Sequence, residues 1–287
     1  MSSSFEHIVL SPLFTFIVGK EKKAIVVHAN AIAATCDQMN VLINGNMNEA
    51  KTRCAEIENV EVEDFIRFCE YAYRGDFTVP TWKQDEALIT DGQDPDALLD
   101  DPKPEVEELP EEIVTESVSV PAFGNVPKKK RRIKLRDRFE NHIYQSDNDG
   151  TKAKILDQFN AYANDKADQD FTPVFLAYAH LYTFAQFRSI ESLKALTLQK
   201  LHSTLKKFVL YRRRVGDITK LAEYAYTSDD LPSRGENGTI DSLRQLVVEY
   251  IACEIDIIGK CEEFVDLLEA GGEFVGDLWR ITRKYLL

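Results

Sequence analysis

The chain has 287 residues, room for one large domain or two small ones, and its 44% apolar content is ordinary for a globular fold. A formal charge of −13 argues against a surface built for nucleic acid, and five cysteines without C-x-x-C spacing fit reduced thiols, not a disulfide framework. No apolar run is long enough to span a bilayer, so the expectation is a soluble intracellular protein that does not enter a membrane.

Residues 13–29 read as two strands. "LFTFIVG" and "AIVVHA" are rich in β-branched and aromatic residues and flank a charged turn, "KEKK". A helix is expected over 30–44, with Ile32, Ala33 and Met39 on one face. A short strand is expected around Ile57. Phe65, Phe68 and Ala72 then share a helix face, with Gly75 at the C-terminal stop.

From Gln84 the character changes. Residues 84–118 hold thirteen Asp or Glu, one basic residue (Lys103) and four prolines, a composition that predicts a disordered linker. The linker is expected to run to residue 170, with a short amphipathic helix at 152–163. It carries the basic run "PKKKRRIKLR", in which Lys128, Lys129, Lys130, Arg131, Arg132, Lys134 and Arg136 crowd nine positions. As an exposed extended peptide this run reads as a nuclear localisation signal, which places the protein in the nucleus as well as the cytoplasm and makes an import receptor a partner. A solvated block folding back on the acidic stretch is the plainer reading. Direct nucleic-acid contact is the weakest, because no aromatic residue interleaves the run and no base-reading fold is evident.

Beyond Phe171 the pattern is helical. Pro173 suits a first turn, followed by Phe175, Tyr178 and Tyr182 on one face. Ser189 reads as a cap for a helix whose stripe is Leu193, Leu196, Leu201 and Leu205. Further helices are expected at 215–227, 240–258, 261–269 and 273–286. Just before the segment at 215–227, Arg212, Arg213 and Arg214 read as a helix-end cluster or local salt-bridge set.

No phosphate-binding, zinc-protease or nucleophile-elbow motif is present, and none of the five His stands at metal-ligand spacing from a Cys. The residues predict a non-enzymatic protein with no catalytic residue, cofactor or metal.

The order of these elements resembles a BTB/POZ domain. "FTFIVG…AIVVHANAIAATC" is similar to the family's opening hairpin, His and first helix. "NMNEAKTRCAEIENVEVEDFIRFCEYAYRGDF" resembles its central segment, and the helices from "FTPVFLAYAHLYTFAQF" onward resemble those of fungal members with a helical tail. The resemblance implies an α+β fold. Its first part would occupy 8–83 and its remaining helices 171–208, on either side of the linker at 84–170, with an all-α extension over 209–287. It also implies a protein-interaction module that forms homo-oligomers, typically homodimers. Met47-Asn48-Glu49 falls where cullin-binding members carry a hydrophobic-x-Glu motif, which implies a substrate adaptor that binds a cullin scaffold of a RING ubiquitin ligase through Met47 and Glu49. The alternative is a nuclear scaffold or transcriptional co-regulator acting through self-association. The sequence departs from the family at Leu13 and Ala29, where members that recruit co-repressors carry charges, and His28 reads as a packed structural histidine.

Overall fold

The structure, a computed structural model, describes residues 5–85, 128–142, 161–235 and 238–285, and in the second stretch the side chains from residue 134 onward. The fold is α+β. After helix α1 (Phe5–Val9), strands β1 (Leu13–Val18) and β2 (Lys23–His28) form an antiparallel hairpin in which Leu13 faces His28. Strand β3 (Cys54–Ile57) adds parallel to β1, giving the order β2-β1-β3. Alternation does what the sequence predicts: Phe14, Phe16 and Val18 point into the core from β1.

The helix expected over 30–44 is two helices, α2 (Ala29–Ala33) and α3 (Asp37–Asn44). Cys36 breaks it. Its backbone is extended, its sulfur accepts from the Met39 N–H at 3.5 Å, and its thiol donates to the Arg188 carbonyl at 3.3 Å. Helix α4 (Asn48–Thr52) precedes β3, and α5 (Val62–Arg74) follows it. Phe65 and Phe68 are fully buried on α5, and Gly75 ends the helix in the left-handed conformation, φ +73°, that a glycine enters without a Cβ clash. His28 is structural, as expected: its ring and backbone N–H both meet the Tyr73 hydroxyl at 2.8 Å.

The linker expectation is corrected at three places, while its acidic part from residue 86 lies outside the described residues. Strand β4 (Lys83–Gln84) pairs antiparallel with β5 (Gln169–Asp170), so the chain returns beside the point where it left. Helix α6 (Lys128–Glu140) lies within the presumed linker. Residues 161–163, expected at the end of a helix, are irregular, and the segment is strapped down: the Lys207 ammonium donates to the Ala161 carbonyl at 2.6 Å, and Asn164 bonds both backbone groups of Val209.

The second half is helical throughout. Helix α7 (Thr172–Phe187) is buried on most of its faces, and α8 (Glu191–Lys207) buries its predicted leucine stripe. Ser189 is not the cap; it sits at φ +55° and Ile190 is the capping position, without a side-chain bond. Helix α9 (Val215–Thr227) has the predicted bounds. The segment expected at 240–258 divides at Glu254 into α10 (Ser242–Cys253) and α11 (Ile255–Ile258). Helices α12 (Glu262–Glu269) and α13 (Glu273–Tyr285) complete the chain. Phe184 of α7 stands 4.9 Å from the Phe68 ring and 6.4 Å from Phe65, which joins the two halves of the domain in one core.

Asp217 fixes the start of α7 from the first turn of α9. One carboxylate oxygen accepts from the Phe171 N–H at 2.9 Å, the other from the Thr172 hydroxyl at 3.0 Å. Burial pushes its pKa from 3.8 up to about 6, against the pull of these bonds and of Arg214. A carboxyl whose folded pKa is raised favours folding most when protonated, and that contribution fades as pH rises through 6. The stability of the wild type relative to Asp217→Asn therefore falls by about 3 kcal/mol between pH 4 and 7, for a rise of roughly two pKa units. Urea unfolding of both proteins across that range measures it, and a difference independent of pH would refute the assignment.

Candidate protein-interaction site

The turn between α3 and β3 presents the predicted motif. Met47 is the capping residue of α4, and its side chain is 54% exposed. Glu49 lies in the first turn of α4, where a carboxylate is favoured by the helix dipole. The backbone here is held firmly: the Met47 carbonyl accepts from the Lys51 N–H at 3.3 Å, and the Glu49 carbonyl accepts from the Arg53 N–H. Val41, one turn back on α3, is also exposed. Among the described residues the Glu49 carboxylate has no ion pair. The segment thus presents an exposed thioether and isopropyl group and a half-buried carboxylate, an arrangement suited to a protein partner with an apolar socket and a donor beside it.

The basic run is placed differently from expectation. Its backbone is helical, not extended, and its C-terminal half is docked. Leu135 and Phe139, one turn apart, are buried, and the Phe139 ring lies 4.8 Å from His202 and 5.6 Å from Tyr250. The Phe139 carbonyl meets the His202 ring, and burial holds that ring's pKa below its ordinary value. Beneath them Glu249 of α10 is wholly buried. Arg138 reaches it at 3.2 Å, His142 at 2.6 Å, and Gln245 donates at 3.0 Å. Arg136 pairs with Glu254 at 2.8 Å, and Lys134 is exposed. The side chains of Lys128, Lys129, Lys130, Arg131 and Arg132 lie outside the described residues. The sequence signal for docking was the Leu135–Phe139 spacing of four, a one-sided stripe masked by the charge around it.

A third surface is apolar. Phe5, Val9 and Leu10 project from α1 and its end, and Leu13 and Val26 from the outer face of the hairpin, all exposed. Sequence reading placed Leu13 and Val26 in the hairpin strands but expected no helix at Phe5–Val9.

Among the described residues no three His, Cys, Asp or Glu side chains converge to hold a metal ion, and no helix is long and apolar enough to cross a membrane. No protein-family model matches the chain, and no curated protein matches it.

Removing both Arg138 and His142 would strand the Glu249 charge. Arg138→Ala/His142→Ala is expected to cost about 3–5 kcal/mol and to make the basic run a rapid trypsin target, while adding Glu249→Leu recovers much of the loss. Urea unfolding and timed proteolysis read both effects; equal losses with and without Glu249→Leu would contradict the role given to the buried charge.

Proposed function

We propose that the chain is a BTB/POZ-type protein-interaction module that engages a cullin-type scaffold through Met47 and Glu49 and so acts as a ligase adaptor. The observation that carries this reading is the α3–α4 turn, where an exposed Met47 caps α4 and Glu49, with no ion pair among the described residues, lies in the helix's first turn. Such a surface has little to gain from the described residues: the apolar groups are in water and the carboxylate forms no ion pair among them. Buried in an interface, they supply an adaptable apolar contact and a directional charge. The small sheet capped by helices and the buried aromatic link between the two halves support the fold assignment.

Isothermal titration against a purified cullin N-terminal domain tests the reading. Wild type is expected to bind, and Met47→Ala/Glu49→Lys to bind at least about tenfold more weakly, since it removes a central anchor and reverses a charge. Met47 is exposed and Glu49 is half-buried with no ion pair to lose among the described residues, so the melting temperature is expected to change little. Absence of binding by the wild type would sink the adaptor function.

The alternative, a scaffold or co-regulator acting through self-association, is favoured by the apolar patch of Phe5, Leu10, Leu13 and Val26. Pairing two copies across it would bury side chains that a lone copy leaves in water. Sedimentation at several concentrations is expected to show a dimer for the wild type and a monomer for Leu10→Asp/Leu13→Asp. A wild type that stays monomeric at all concentrations rules this pairing out.

A further inference from the structure

The geometry points to a second binding site, independent of the cullin reading: a groove between the β3–α5 loop, α7 and the end of α9 that takes a short basic peptide segment of a partner protein, one cationic side chain beside one apolar side chain. The groove holds about 460 Å³, a volume in the range of ligand sites and large enough for two side chains. Its apolar surface comes from Val60, Phe184 and Phe187. Phe187 is 60% exposed at the groove's edge, although the Arg188 guanidinium lies over its ring.

The polar lining favours a cation. Glu58 and Glu61 on the loop and Asp230 beyond α9 are exposed, and none forms an ion pair among the described residues. Deeper in the groove, Asp64 is buried and already satisfied: Arg67 meets one oxygen at 2.7 Å and His180 Nδ1 meets the other at 3.0 Å. A carboxylate opposite Nδ1 places the neutral imidazole's proton there. Nε2 is then a hydrogen-bond acceptor beside the Tyr224 ring, whose centroid is 4.8 Å away. Carboxylates therefore stand at both the rim and the floor of the groove, alongside the Asn59 amide and the Thr183 hydroxyl. Arg188 also lines it: its guanidinium lies over the Phe187 ring at 5.1 Å, and among the described residues its Nε is buried without a hydrogen-bond partner. A guanidinium beside exposed carboxylates suits a peptide: the backbone carbonyl of the occupant meets the accessible end of Arg188, and its Lys or Arg head meets Glu58, Glu61 and Asp230. A neighbouring apolar residue covers Phe187. A small anion would have to approach those three carboxylates, and a neutral apolar ligand would leave them without a counter-charge.

Fluorescence polarisation with the full chain tests this at about 0.15 M salt, where distant charges are screened. The probe is a labelled hexapeptide, Arg-Leu-Arg-Phe-Arg-Leu, compared with one in which Ser replaces Leu and Phe. Saturable binding of the first is expected, weakened about tenfold by Glu58→Gln/Glu61→Gln/Asp230→Asn and about fivefold by Phe187→Ser. The same charge removed at Glu262, Glu263 and Glu269 of α12, none of which lines the groove, is expected to leave affinity within about twofold. Three results would each overturn the site: no saturable binding, equal weakening by the α12 variant, or equal affinity for the serine peptide. All altered residues are exposed, so folding is preserved, and the variants leave Met47 and Glu49 intact so that the two sites are scored separately.

Discussion

The insertion can interrupt this domain because one guanidinium closes the break. Arg214, buried at the turn before α9, lies 2.6 Å from Asp85, where the chain leaves the domain, and 3.8 Å from both Asp170, where it returns, and Asp217. Asp170 and Asp217 in turn accept from the first backbone and hydroxyl donors of α7. Three carboxylates this close would repel one another and resist burial without a central cation. With it, departure, return and the start of the most buried helix are fixed in one place. The β4–β5 pairing is only two residues long on each strand, too little to hold two segments by itself. The charge cluster supplies the missing constraint. A second buried pair, Asp76 with Lys200 at 2.7 Å, repeats the device by tying the end of α5 to α8.

Much of this was legible along the chain. Alternation marked both hairpin strands, and the spacing of Phe65, Phe68, Leu193 and Leu196 marked core faces, because burial on one side of a regular element imposes its period on the residues. Gly75 announced a helix end because its conformation excludes most other residues. What failed to show was tertiary. Cys36 splits a helix because its thiol finds the Arg188 carbonyl, 152 positions away in sequence. Ser189 looks like a cap but adopts a left-handed backbone that serves the turn between α7 and α8. Arg214 was recognisable as part of a charge cluster, but its partners Asp85 and Asp170 lie on segments whose composition pointed to disorder.

The basic run shows how composition can hide an element. Its charge density argued for solvation. Leu135 and Phe139 obey a different rule, since two apolar groups on one helical face repay ordering when an apolar surface awaits them. The surface offered by α10 also contains Glu249, a carboxylate with no water, so α6 brings Arg138 and His142 along with its apolar stripe. Docking and charge neutralisation therefore occur together. An extended, receptor-bound form of residues up to Arg136 has to give up the Arg136–Glu254 contact and bend away from Leu135. Whatever reads the run in that form competes with the chain's own fold.

The distribution of paired and unpaired charge separates scaffold from surface. Inside, Asp64, Asp76, Asp217 and Glu249 each face a cation or a set of donors, because an uncompensated charge in the interior costs several kcal/mol. Outside, Glu58, Glu61 and Asp230 face solvent in the groove that exposed Phe187 lines, and half-buried Glu49 follows exposed Met47 at the start of α4. The fold gains nothing from that juxtaposition: the carboxylates are equally well solvated elsewhere, and the apolar groups would be better buried. An isolated exposed Leu or Glu is unremarkable on any surface. An exposed apolar group, an unpaired carboxylate and a backbone that already satisfies its own hydrogen bonds form a combination that stability alone does not require. It becomes favourable when a partner supplies the matching socket and cation, which is why function is sought at these two places and not at the better-connected charges of the core.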